Sequence, residues 1–203
     1  QSGKFVITSE VAPPKGADTG EMLENAERLA PRVDAVNITD QQSSVMRLGS
    51  LAASQMLKSR GIEPIFQVTC RDRNRIALQS DLLSAWALGI ENVLCLTGDH
   101  VTLGDYPDAK AVFDLDSVSL LAVASRLNEG EDLGGNELQG RTDFCLGAVV
   151  TPGADPVDLQ LFKMEKKISA GASFFQTQAV FDAEAFARFM EKAKPLGVPV
   201  MAG

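Results

Sequence analysis

The feature that most constrains this chain is a strict alternation of short β-rich runs with longer amphipathic stretches. Strands are expected over 5–11 (FVITSEV), 35–39 (AVNIT), 64–69 (PIFQVT), 92–96 (NVLCL), 144–150 (FCLGAVV), 173–178 and 198–201. Helices are expected near 21–29, 45–58, 71–88, 117–128, 156–169 and after Asp182. Asp18 or Thr19 can cap the first of these. Asp155 followed by Pro156 reads as a cap with proline at the first helical position. On the third helix the spacing places Ile76, Leu83 and Trp86 on the inner side, and Gly89 fits its left-handed stop. The polar, Gly-rich stretch EGEDLGGNELQGR reads as a surface connection.

Strands separated by helices run parallel with right-handed crossovers, so the class is α/β. An open dinucleotide-binding sheet should carry G-x-G-x-x-G after its first strand; here that position reads APPKGAD, and no Walker A motif occurs. Glu10, Thr39, Thr69, Asp99 and Gln178 lie at or just past the C-terminal ends of different strands. In a (β/α)8 barrel such positions converge on one mouth. The expectation is therefore a single TIM-barrel domain over 1–203, covering about strands 1 to 7. A whole barrel takes about 250 residues, so the polypeptide is expected to continue past Gly203.

Charge and composition narrow the partners. Nineteen Lys and Arg stand against 27 Asp and Glu, a net −8, which disfavours nucleic acid or an anionic membrane surface as a ligand. No apolar run reaches the roughly 18–20 residues of a membrane span and no export signal is visible, so a cytoplasmic setting is expected. Cys70, Cys95 and Cys145 are odd in number and form no C-x-x-C; they read as reduced, buried small hydrophobes, and no metal site is expected.

Individual residues suggest chemistry. Glu10 ends an apolar strand, where desolvation would raise its pKa and suit it to act as an acid. The competing reading is a rim carboxylate paired with Lys15 or Arg71. Gly98, in L-T-G-D, permits close backbone approach to a ligand, and Asp99 beside it can accept hydrogen bonds. The amides of Gln176 and Gln178 suit recognition of a heterocycle. Lone His100 reads as a solvated loop residue, Trp86 as packing, and Arg71, Arg73 and Arg75 as a solvated helix start with phosphate binding as the alternative.

Taken in order and spacing, SEVAPPKG, VNITD, VTCRDRN, CLTGD, GAVVTPGADP, KKISAGASFFQTQAVFD and VPVMAG resemble the methylenetetrahydrofolate reductase family over nearly the whole chain. DAVNITDQQ and CRDRNRIALQSDLL are most similar to the short forms of acetogenic and other anaerobic bacteria. The resemblance implies a TIM barrel holding a flavin, FAD with FMN as the alternative, that reduces 5,10-methylenetetrahydrofolate to 5-methyltetrahydrofolate by hydride transfer. It implies a place in one-carbon metabolism or methionine biosynthesis. By the same resemblance Glu10 matches the family acid and Asp99 the carboxylate between flavin and folate. Gln178 matches the folate-recognising amide. Thr39, Thr69, Thr97, Gly98, Ala148, Val150 and Lys167 match flavin contacts, with Phe113 near the adenine. Gln67, Thr97 and Asp40 depart from residues common in relatives (a His, an Arg and an aromatic). The reductant implied is NAD(P)H or an electron-delivering partner subunit, and a homo-oligomer is compatible. Two other readings remain open: a flavin-free folate-binding accessory subunit, and a pterin-dependent methyltransferase on the same barrel.

Overall fold

A computed structural model describes residues 4–203. Its seven strands are β1 (Thr8–Val11), β2 (Ala35–Ile38), β3 (Pro64–Thr69), β4 (Asn92–Leu96), β5 (Cys145–Val150), β6 (Phe174–Thr177) and β7 (Val200–Met201). The helices between them are α1 (Gly20–Leu29), α2 (Ser50–Lys58), α3 (Arg75–Ala87), α4 (Ser117–Glu129), α5 (Val157–Ser169) and α6 (Ala183–Ala193). All strand pairs are parallel and their spatial order equals their chain order. A doubly wound sheet reverses direction at a switch point; a barrel does not. The sheet also curls: the side chains of Asn37 on β2 and Gln176 on β6 meet at 2.8 Å across its concave face. The fold is therefore a TIM-barrel-type α/β fold represented by seven strands.

Alternation along each strand divides the core in two. Ile65, Leu94 and Phe174 pack inside the curl with Ala35, Leu96, Cys145, Val149 and Met201. The intervening residues, such as Val36, Ile38, Phe66, Val68, Val93, Cys95, Leu146 and Phe175, pack outward under the helices. Gly147 lies on the inner face because Phe174 needs the space: a Cβ there would sit 2.2 Å from the ring.

Several local expectations are corrected. Phe5–Ile7 lie outside the β1 ladder and are exposed, held to Asp34 through the Ile7 backbone. Helix α2 starts at Ser50 rather than near Val45, because Gln41, Ser43 and Ser44 take left-handed backbone and the following segment builds the mouth. On α3 the buried face is Leu78, Leu82 and Ala85, whereas Ile76 is 74% exposed and Leu83 also reaches solvent. Trp86 does pack, edge-on to Phe144 at 5.5 Å. Before α5 the cap position is Pro156, with no side-chain cap from Asp155. Thr19 caps nothing with its side chain, while Asp18 accepts the Gly20 N–H at 3.0 Å. Asn74, Asp116 and Asp182 do cap α3, α4 and α6. Cys70 and Cys95 are buried, Cys145 is half-buried, and all three are free. No helix among the described residues is long and apolar enough to cross a membrane.

Candidate active site

The inner face of the first strands carries polar groups where a packed barrel core would carry aliphatic ones. Glu10 on β1 is in register with Asn37 on β2. Asn37 Oδ1 accepts from Gln176 Nε2 at 2.8 Å and, more distantly, from Gln67 Nε2 at 3.5 Å. Asn37 and Gln67 are buried. Glu10 as a whole is exposed, yet the partial burial of its carboxyl pushes its pKa up, and a hydrogen bond with Gln67 only partly opposes this. Neither competing partner holds it: Lys15 pairs with Asp105, and Arg71 with Asp72.

A second cluster closes the C-terminal ends of β2, β3 and β4. Asp40 is buried directly after β2 and Thr39. Its Oδ2 accepts the Thr69 N–H at 2.8 Å and the Thr69 hydroxyl at 2.9 Å, and also pairs with Arg73. Arg73 reaches on to Asp81 at 3.0 Å. Arg71 is 2% exposed; it grips Asp72 through Nε and Nη2 and donates to the backbone carbonyls of Asp99 at 3.3 Å and Gln41 at 3.4 Å. The arginines are therefore not a solvated face: Arg71 and Arg73 are structural, and only Arg75 is exposed, paired with Asp114 at 2.8 Å. A cavity of about 380 Å³ opens beside them, lined in part by Asp40, Gln41, Arg71, Arg73, Val101 and Tyr106.

The remaining candidate residues take distinct places. Thr39 is buried and its Oγ1 has no hydrogen-bond partner. Gly98 has φ +93°, and a Cβ there would approach Thr69 Cβ to 3.0 Å, so β3 and β4 loops meet at this point. Thr97 Oγ1 accepts the Ser117 N–H at the start of α4. Asp99 is exposed, and so is His100, whose ring stacks on Phe113 with centroids 6.3 Å apart. Gln178 is exposed past β6, its backbone N–H on the Val150 carbonyl at 3.0 Å. Ala148 and Val150 turn outward into the core beneath the helices, so only their backbone faces the mouth. Lys167 is half-buried: Nζ donates to the Val149 carbonyl at 2.6 Å, and burial lowers its pKa, helped by Lys163 and opposed by Asp116.

Thr69 thus adjoins Asp40, Thr39 precedes Asp40 in the chain, and Gly98 and the Asp99 backbone adjoin Arg71. The Thr97 hydroxyl turns to the start of α4, and Glu10 sits with the interior amides. The roles of Asn37, Gln67, Asp40 and Arg73 were missed by sequence reasoning; Asp40 and Gln67 had shown only as departures from a pattern.

Comparison with known proteins decides the family. The family model for methylenetetrahydrofolate reductase matches residues 1–203. The chain belongs to this family. A 5,10-methylenetetrahydrofolate reductase from Pectobacterium carotovorum subsp. carotovorum is 29% identical over 203 residues, covering 98% of this chain and 62% of the relative. A probable methylenetetrahydrofolate reductase (NADPH) of Caenorhabditis elegans is 28% identical over 172 residues, 84% of this chain and 24% of the relative. The chain thus spans less than two thirds of these family members. A Clostridium thermocellum protein described as binding two copies of 5-methyl-5,6,7,8-tetrahydrofolic acid superposes with a TM-score of 0.68 at 19% identity, over 97% of this chain and 65% of that one. A 2,3-dimethylmalate lyase superposes at 0.58 and 12% identity, covering 95% and 65%. These likenesses show the shared fold.

Proposed function

We propose that this chain carries the catalytic machinery of a methylenetetrahydrofolate reductase: flavin-dependent reduction of 5,10-methylenetetrahydrofolate to 5-methyltetrahydrofolate. The observation that carries the reading is Glu10, a carboxyl with raised pKa inside the curl, in a chain matched to the family from end to end. An acid so placed can protonate the folate N10, which opens the imidazolidine ring to an iminium at N5. Asp99 supplies a negative charge from a different strand end for that cation, and the Gln178 amide reads the pterin edge. Hydride addition to the iminium carbon then gives the methyl group.

The residues present fit a flavin. Thr39 offers a buried hydroxyl without a hydrogen-bond partner. We assign Thr39, Thr69, Thr97, Gly98, Phe113 and Lys167 to holding it, with Ala148 and Val150 acting through their backbone. The flavin, FAD in preference to FMN, supplies the hydride. NAD(P)H or an electron-delivering partner subunit would be its reductant. Three free thiols fit a reducing, cytoplasmic compartment.

Absorption spectra of purified protein test the reading. Flavin bands that bleach with reductant and return on adding methylenetetrahydrofolate are expected, and Glu10→Gln should abolish the folate-driven return, a loss of at least about 100-fold in rate. Full turnover in Glu10→Gln would remove the acid role. Colourless protein that binds folate would replace the proposal with a flavin-free binding module.

A further inference from the structure

The loops that follow β1 to β4 are laced into a closed ring on one side of the mouth. From the β1 loop, the Pro14 carbonyl accepts the Leu48 N–H at 2.9 Å and the Pro13 carbonyl accepts from Arg47 Nη1 at 3.1 Å. Within the β2 loop, the Gln41 side chain holds both the N–H and the carbonyl of Arg47, at 2.7 and 3.0 Å. The Gln41 carbonyl accepts from Arg71 Nη2 at 3.4 Å, and Arg71 Nη1 carries the ring on to the Asp99 carbonyl at 3.3 Å. From the β4 loop, Asp105 reaches back to both earlier loops. Its Oδ1 accepts the Met46 N–H at 3.2 Å, and its Oδ2 pairs with Lys15. Beside it, Gly104 lies so close to the β2 loop that a Cβ would sit 1.8 Å from the Ser44 carbonyl oxygen.

The two ends of the Lys15–Asp105 pair lead straight to the two candidate carboxyls. Lys15 follows Glu10 along the β1 loop, and Asp105 follows Asp99 along the β4 loop. Both connections are stiff. Between Glu10 and Lys15, Val11 and Pro13 are buried, and two consecutive prolines fix φ. Between Asp99 and Asp105, Val101 is buried, and a 3-10 turn over Val101–Leu103 bonds the Leu103 and Gly104 N–H groups back to His100 and Val101. Two strands stand between β1 and β4 in the sheet, so no ladder couples these two loops directly.

We propose that Asp105 is a positioning residue that closes the ring and so holds the Glu10 loop in register with the Asp99 loop. The proposal rests on the reading of Glu10 and Asp99 as the working carboxyls. Asp105 itself acts at a distance: one carboxylate oxygen faces the β1 loop and the other the β2 loop. Its loss opens the ring at two points and leaves the Asp99 loop tied only through Arg71 and the Gly104 contact.

Amide exchange of the whole protein, read residue by residue by NMR, tests the ring. Lys15→Met leaves the bonding partners of the Met46, Leu48 and Leu103 N–H groups in place. It should nevertheless speed exchange at all three by about threefold, the worth of an exposed ion pair. Asp105→Ala removes two links and should speed exchange by about tenfold, as for a hydrogen bond to a charged group. Adding Lys15→Met to Asp105→Ala should change nothing further, because the pair is already gone. Lys15→Arg keeps the pair and should exchange as the wild type does. Asp105→Ala should also lower kcat for folate reduction by about tenfold while flavin content and the folate KM hold, since the reacting geometry is what shifts. Lys192→Met breaks an exposed pair of the same kind, with Asp158 at 2.9 Å, and should alter neither readout. Faster exchange confined to the amide beside each substitution, a double variant worse than Asp105→Ala, or an undiminished kcat in Asp105→Ala would overturn the proposal. So would an equal effect of Lys192→Met. Failure of the reductase reading registers separately, as wild-type protein without a folate-driven return of the flavin bands, and the exchange rates decide the ring in either case.

Discussion

At the scale of single residues, the mouth depends on one buried carboxylate. Asp40 serves the Thr69 amide, the Thr69 hydroxyl and the Arg73 guanidinium at once. Arg73 is itself largely buried, so removing its partner leaves a charge with only Asp81 in reach and one nitrogen, Nε, already without a bond. Breaking a buried pair by deleting one member costs about 3 kcal/mol. Asp40→Ala should therefore lower the urea midpoint by that equivalent, and Asp40→Asn combined with Arg73→Met should cost less than the two single changes together. A loss below about 1 kcal/mol in Asp40→Ala would show that the network is not structural. None of this was legible in the sequence, because the pair spans 33 positions and each member looks like an ordinary loop charge. Glu10 was easier to find, since its position after an apolar run already implied desolvation.

At the scale of elements, legibility followed how unambiguous the local pattern was. β3 and β4 have the bounds expected from sequence, because each is a compact apolar run flanked by polar or turn residues. Helix α3 has apolar residues on nearly every side, so periodicity could not choose between the Ile76–Leu83 face and the Leu78–Leu82 face; packing on β3 and β4 chose the second. The late start of α2 follows from left-handed backbone at Ser43 and Ser44, which no helix-forming pattern reveals. The inner face of β5 shows how tightly neighbouring strands are matched. Gly147 and Phe174 are register partners, and the ring fills the place of the missing side chain. Gly147→Ala should destabilise by about 3 kcal/mol through overpacking. Phe174→Leu costs stability alone but should relieve part of the Gly147→Ala penalty, and denaturant unfolding of the two singles and the double measures that coupling. Strict additivity would mean the strands separate rather than share the strain.

At the scale of the whole molecule, the curl and the charge distribution pull stability in opposite directions with pH. The curl is what brings Asn37 and Gln176, 139 positions apart, into contact, so the alternation of strands and helices foretold the barrel but not its polar interior. Outside, Asp34, Asp105, Asp114, Asp116 and Asp132 are all held below the ordinary carboxylate value; for Asp114 the Arg75 guanidinium is the main cause and takes it to about 2. A carboxyl with a depressed folded-state pKa contributes stability that is complete above its unfolded value near 4 and is lost as pH falls toward about 2. Glu10 has the opposite sign. Its raised folded-state pKa means the native state holds a proton that the unfolded chain has released, so its contribution is present at low pH and disappears as pH rises through the folded value. Thermal midpoints across pH should therefore fall steeply on the acid side, and that limb should shrink in Asp114→Asn, most clearly at low salt because the pair is exposed. On the other side, the wild-type midpoint should decline gently as pH climbs above the ordinary glutamate range, and Glu10→Gln should flatten that decline while leaving the acid limb in place. The same decline in Glu10→Gln would mean that another group, not the inner carboxyl, holds the proton.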